Sequence, residues 1–118
     1  MPNVKAKPLR LRLSDRGEIA KTRAAKEIIE QMNRAGIGAD GSPFPAGVTK
    51  AQLDMHDSGR LHRDCEVYTT RLQYKAPYAN ALQAKYNWCG IPESGPWREA
   101  YERLVQEILN GNLLTDDD

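Results

Sequence analysis

The chain has 118 residues, of which 40% are hydrophobic and 28% are charged. This length and composition predict one domain with a small core, and they exclude a membrane-spanning protein, because no stretch approaches the ~20 apolar residues of a transmembrane helix. The net charge of +1 hides an asymmetry: residues 1–35 carry nine Lys and Arg against four Asp and Glu, whereas residues 98–118 carry two against six. Opposite ends of this kind suit contact with nucleic acid or head-to-tail packing of copies, and an ordinary solvated surface without a partner explains them as well.

The first predicted element is a short strand. Residues 8–13 read PLRLRL, so three leucines lie on one side of the strand and Arg10 and Arg12 lie on the other. The proline at its start restricts the strand to the edge of a sheet. A loose capping box of Asp15 and Glu18 then predicts the start of a helix.

The helix ends at a glycine-rich segment. Ile28, Ile29 and Met32 share its apolar face and are predicted to enter the core. The segment GIGADG, which begins at Gly36, matches the dinucleotide fingerprint G-x-G-x-x-G letter for letter. That fingerprint requires a strand before the glycines and a helix after them, whereas here a helix precedes and Pro43 follows. We therefore predict a helix C-cap at Gly36 and no nucleotide site.

A long Gly- and Pro-rich loop is predicted over residues 36–60. So long a segment without clear periodicity in a small domain is typical of a functional loop or of a partly disordered one. We expect its large apolar residues to contact a neighbouring molecule. The predicted partner interface comprises Phe44, Leu53, Met55 and Arg60, with Arg10 and Arg12 of the first strand.

The second half of the chain predicts one strand and two helices. Residues 68–75 alternate as a strand does, and Pro77 then starts a helix. An apolar stripe over residues 97–109 predicts a terminal helix, with Ser94 as its cap and Gly111 as its end. The core residues predicted on these elements are Tyr68, Leu72, Tyr78, Leu82, Trp97, Tyr101, Leu104, Val105 and Ile108.

Together these elements predict an α+β fold. A small antiparallel sheet packs against an N-terminal and a C-terminal helix, in a single domain over residues 1–118 with flexible ends at 1–7 and 112–118. The chain begins without the apolar run of a signal peptide, which predicts synthesis in the cytoplasm. In a reducing compartment two cysteines are more often small buried side chains than a disulfide, and the sequence leaves open whether Cys65 and Cys89 pair.

Two histidines and two cysteines raise the question of a metal or nucleophile site. His56, Asp57, His62 and Cys65 lie in one short window, with Cys89 downstream. The window lacks the paired C-x-x-C knuckle of zinc sites and the local surroundings of known Cys–His nucleophiles. We expect loop histidines, a small apolar Cys65 in the sheet, and no metal, cofactor or catalytic residue.

Aromatic and basic residues interleave between Tyr68 and Trp88. Single-stranded nucleic-acid binders use this composition to stack bases and contact phosphates, and a small core uses the same aromatics for packing. We favour the core, because Tyr68 and Tyr74 fall on the apolar face of the predicted strand and the basic residues fall on the other.

Short motifs in a fixed order point to a family. They are DGSPFPAG from Asp40, DSGRL from Asp57, APYA from Ala76 and PWREAYERL from Pro96. This order resembles the small neck proteins of tailed bacteriophages, the tail-completion and minor-capsid (head–tail joining) families, over roughly residues 20–110. Between DSGRL and APYA this sequence predicts one strand, where the tail-completion branch usually has a hairpin.

The resemblance implies a non-catalytic structural protein of the virion neck or tail, made in the bacterial host cytoplasm. Such proteins form closed rings, commonly of about six or twelve copies, through heterologous contacts. Implied partners are other neck, portal or tail-tube proteins, with acidic residues 116–118 near genomic DNA in the channel. The alternatives are a small enzyme or metal protein and a small nucleic-acid-binding module. The module would use Arg10, Arg12, Arg16, Lys21 and Arg23.

Overall fold

The computed structural model describes residues 8–13, 19–44 and 60–111, with the side chain of Arg60 left out. The predicted α+β class is confirmed: a small antiparallel sheet is combined with helices in the N- and C-terminal regions. In chain order the elements are β1 (Leu9–Arg12), α1 (Ile19–Arg34), α2 (Arg60–Arg63), β2 (Cys65–Val67), β3 (Arg71–Tyr74), α3 (Ala79–Tyr86) and α4 (Pro96–Leu109). The described helices include none long and apolar enough to cross a bilayer.

The sheet has the strand order β1-β3-β2, with both pairings antiparallel. Tyr74 occupies the centre, opposite Leu9 on one side and Cys65 on the other. The N-terminal strand therefore lies at an edge, as the proline before it predicts. Its alternation is confirmed, since Arg10 and Arg12 are exposed and the leucines beside them are half-buried.

The strand predicted over residues 68–75 is in fact the second half of a hairpin. The Tyr68 amide donates to the Arg71 carbonyl at 2.9 Å and closes a two-residue turn. Because of this turn, Tyr68 lies opposite Arg71 and on its face of the sheet, not on the face of Leu72. The prediction that Tyr68 enters the core is therefore wrong: its side chain is 37% exposed.

The core lies between the inner face of the sheet, α1 and α4. α1 packs against β2 and β3 and, more extensively, against α4, where the Tyr101 hydroxyl donates to the Lys21 carbonyl at 3.4 Å. Of the predicted core residues, Ile28, Ile29, Met32, Leu72, Tyr101 and Val105 are buried. Tyr78, Leu82, Trp97, Leu104 and Ile108 are half-buried and pack against them. The sequence missed Leu61, which is fully buried on α2.

The predicted C-cap at Gly36 is confirmed. Its φ of +82° is left-handed, its amide donates to the Asn33 carbonyl at 3.0 Å, and the Ile37 amide donates to the Met32 carbonyl at 2.8 Å. This pair of bonds is the Schellman motif that ends helices. The loop predicted over residues 36–60 is one residue too long, because Arg60 starts α2; residues 45–59 lie outside the described part of the chain.

The starts of the last two helices differ from the predictions. α3 begins at Ala79 and not at Pro77, because residues 77–78 form a turn. α4 has Gly95 as its N-cap and no side-chain capping bond, so Ser94 does not cap it. Its predicted end holds, since Gly111 adopts a left-handed φ of +76°. The proposed Asp15–Glu18 capping box and both predicted flexible ends lie outside the described residues.

Candidate interaction surfaces

The face of the sheet that points away from α1 forms the first candidate surface. Strand pairing sets Gln73 between Arg10 of β1 and Glu66 of β2, and sets Arg12 beside Arg71. We call this surface the outward sheet face. Its residues are Arg10, Arg12, Glu66, Tyr68, Arg71, Gln73 and Lys75. With four cations and one carboxylate, the outward sheet face is strongly basic.

A small polar network holds one corner of the outward sheet face. Glu66 accepts hydrogen bonds from the Tyr68 hydroxyl at 2.8 Å and from Lys75 Nζ at 3.4 Å. The bond from Tyr68, followed by that from Lys75, holds the pKa of the Glu66 carboxyl below its usual value. The same bond raises the pKa of the Tyr68 phenol. Glu66 is thus ionised at neutral pH and hydrogen-bonded to both donors. Its single negative charge offsets only part of the positive charge of the outward sheet face.

The remaining cations of this face are held in place by neighbours. Arg10 Nε donates to Gln73 Oε1 at 3.1 Å, and the Arg71 guanidinium stacks 4.2 Å from the centre of the Tyr68 ring. The Arg71 Nε–H is buried and has no acceptor among the described residues.

A groove between the end of β1, the first turn of α1 and α4 forms the second candidate surface. We call this cavity of about 640 Å³ the α4 groove. Leu11, Leu13, Ile91 and Val105 supply its apolar lining. Its volume lies within the range of clefts that bind small ligands.

The polar lining of the α4 groove is mainly basic. Arg12, Lys21 and Arg98 contribute cations, and Glu102 contributes a carboxylate that accepts from Arg98 Nε at 3.0 Å. Arg98 also stacks 5.1 Å from the Tyr101 ring centre. Because Arg12 belongs to both surfaces, the outward sheet face and the α4 groove form one continuous basic region.

The histidine predicted to lie in a loop is instead part of the core. His62 is on α2, is 4% exposed, and packs edge to face against Trp88 at 5.4 Å and Tyr74 at 6.2 Å. Trp88 itself is fully buried and donates from Nε1 to the Ala79 carbonyl at 3.3 Å. Tyr74 and Trp88 therefore serve as core residues, as favoured, and not as stacking platforms.

The cysteines are free thiols with suppressed ionisation. Burial raises the pKa of Cys65 to about 11, and burial also raises that of Cys89. A Cys–His nucleophile needs a thiolate near neutral pH, which the surroundings of Cys65 disfavour. Within the described ranges, no group of three or more His, Cys, Asp or Glu side chains could hold a metal ion; His56 and Asp57 lie outside them.

The residues predicted from sequence to form an interface do not form one cluster. Phe44 is half-buried and packs its ring 6.5 Å from that of Tyr86. Leu53 and Met55 lie outside the described residues, and only the backbone of Arg60 is described. Arg10 and Arg12 lie on the outward sheet face and remain interface predictions.

The basic residues assigned to the nucleic-acid alternative also separate. Lys21 lines the α4 groove, Arg23 is exposed on α1, and Arg16 lies outside the described residues. Arg71 and Lys75, which the sequence analysis did not assign to an interface, join Arg10 and Arg12 instead. The alternation of polar and apolar residues over 8–13 and over 68–75 predicts a polar face on each of these strands. Neither segment alone indicates that the two strands pair.

Comparison with known proteins found no matching family model, no matching curated protein and no matching solved structure.

Proposed function

We propose that this chain is a structural subunit of the head–tail junction of a tailed bacteriophage, and that its copies assemble into a closed ring. The order of DGSPFPAG, DSGRL, APYA and PWREAYERL motifs supports this proposal. In a ring, one surface of each subunit contacts a different surface of the next. The subunit therefore needs two unlike, complementary surfaces.

The observation that carries the proposal is the unequal charge of the outward sheet face and of the C-terminal sequence. The outward sheet face has four cations and one carboxylate. The C-terminal region, residues 98–118, has two cations and six carboxylates, and Glu99 and Glu102 are exposed on α4. Opposite charge on different elements favours head-to-tail contacts and disfavours contacts between identical faces.

Sedimentation velocity over micromolar to millimolar protein, with and without a labelled DNA duplex, tests the proposal. We expect discrete species of six or twelve subunits that do not change when DNA is added. A continuous series of larger and larger species would contradict closure. A monomer that ignores DNA would require that the ring assemble on a portal or tail partner, which the same experiment with that partner added would test.

A second candidate function is binding of nucleic acid through the outward sheet face. Arg71 stacks on the exposed Tyr68, and Arg10, Arg12 and Lys75 lie on the same face of the sheet. Cations and an exposed aromatic ring are the combination that single-stranded nucleic acids bind. This version differs from the alternative based on the N-terminal basic residues, because Arg23 lies on α1, away from this face.

Binding of labelled single-stranded DNA at several salt concentrations tests this candidate. The variant R10E/R71E should lose affinity and show a shallower dependence on salt, because fewer counterions are released. The control R23E/R103E makes the same charge change at exposed positions of α1 and α4. Equal losses in both doubles would indicate non-specific attraction and would exclude a site on the sheet.

A further inference from the structure

The α4 groove has the lining of a site for an apolar and acidic segment. Leu11 and Leu13 follow the sheet into the groove, and Ile91 and Val105 line it from the α4 side. A groove with this lining buries aliphatic side chains most effectively. Its occupant should therefore bring apolar residues of similar size.

The charges of the groove indicate which polar groups its occupant carries. Arg12, Lys21 and Arg98 outnumber Glu102 three to one. Lys21 and Arg98 both contact Tyr101. The Lys21 carbonyl accepts a hydrogen bond from the Tyr101 hydroxyl, and the Arg98 guanidinium stacks on the Tyr101 ring. Carboxylates next to the apolar residues would therefore meet a lining of net positive charge, in which Arg98 also pairs with Glu102.

The C-terminal end of the chain has this composition. Leu109, the last residue of α4, is 58% exposed, the largest exposure among the large hydrophobic residues described. Residues 112–118, which lie outside the described part of the chain, read NLLTDDD. The two leucines and three aspartates of this segment match the apolar lining and the cations of the groove in kind.

We infer that residues 109–118 of one copy occupy the α4 groove of a second copy. Leu109 indicates which copy provides the groove. It ends α4 itself, about one turn beyond Val105 and Gln106 of its own groove, so it cannot leave its helix to enter that groove. The groove of a second copy can take Leu109 together with the residues that follow it.

This inference rests on the proposed ring function and specifies the contact that repeats around the ring. It places Asp116–Asp118 between subunits, whereas the resemblance places them near DNA in the channel. The two placements make opposite predictions, since neutralising these aspartates weakens assembly only if they bind the groove.

Sedimentation velocity of full-length variants tests the inference. K21E/R98E and, separately, D116N/D117N/D118N should each raise the dissociation constant of self-association by about ten-fold or more, the sum of two or more lost ion pairs. The matched control R23E/R103E should leave it unchanged. Combining K21E/R98E with D116K/D117K/D118K should restore association, a rescue that a misfolded variant cannot give.

Each other outcome overturns the inference. Failure of the charge swap to restore association, in variants that keep the wild-type circular dichroism spectrum, would show that tail and groove do not meet. A ring that persists in K21E/R98E and in the neutralised tail would leave the proposed function standing without this contact. A wild-type chain that is monomeric at all concentrations would overturn the contact, and the ring proposal would then be tested separately with a portal or tail partner.

Discussion

The substitution Trp88→Phe isolates the contribution of one buried side chain that connects several elements. Trp88 is fully buried, packs edge to face with Tyr74 at 4.8 Å, and donates to the Ala79 carbonyl at 3.3 Å. Phenylalanine keeps an aromatic ring but leaves a void of about 40 Å³, which at ~24 cal/mol per Å³ costs about 1 kcal/mol. The lost hydrogen bond adds about 1 kcal/mol. We expect the free energy of unfolding to fall by about 2 kcal/mol in total.

Urea denaturation followed by far-UV circular dichroism measures this loss. The matched control is Trp97→Phe, since Trp97 is half-buried at the start of α4. We expect the control to lose less than about 1 kcal/mol, because partly exposed side chains contribute less packing. If Trp88→Phe costs no more than Trp97→Phe, the side chain of Trp88 does not hold these elements together, and the packing described above is wrong.

Three further predictions concern the hairpin, a thiol and a helix end. In Tyr68→Phe the pKa of Glu66 should rise towards 4.5, because its first hydrogen-bond donor is lost; an NMR titration that shows no rise would contradict the network. As the pKa of folded Glu66 is depressed, its stabilising effect is present above the unfolded pKa and lost as pH falls, and this loss should be smaller in Tyr68→Phe. Cys65 should react slowly with a thiol reagent at pH 8, because its raised pKa leaves little thiolate. The free energy of unfolding should also fall as pH rises from 9 to about 11, since the thiol ionises at a lower pH in the unfolded chain than in the folded one. Gly36→Ala should cost about 1 kcal/mol in thermal denaturation, because the left-handed φ strains any L side chain although the space there is open; unchanged stability would contradict the assigned cap.

The elements that could be predicted are those whose signal is local. The PLRLRL alternation and the proline before it place β1 at an edge, and the left-handed glycine at position 36 ends α1 where its spacing predicts. The hairpin was missed because its turn, Thr69–Thr70, contains neither the glycine nor the asparagine that usually marks a two-residue loop. One unrecognised turn was enough to move Tyr68 to the opposite face of the sheet.

The candidate surfaces could be predicted only in part, because they depend on contacts between distant segments. Arg10 and Arg12 were recognised as a polar face, but strand pairing across some sixty residues was needed to bring Arg71 and Lys75 beside them. His62 was expected to be exposed, since nothing in its own segment reports the rings of Tyr74 and Trp88. Burial of a polar ring is decided by its distant neighbours, and these are fixed only when the fold is complete.

The strand order also has a consequence for the sequence of folding events. β2 and β3 are separated by a two-residue turn, whereas β1 must wait for β3, because Leu9 pairs with Tyr74. Loop-closure entropy favours the short hairpin first, so we expect β1 to dock late. On the ribosome, β1 would be synthesised before β2 and β3 and incorporated after them, and its alternating leucines would remain without a partner until β3 has emerged.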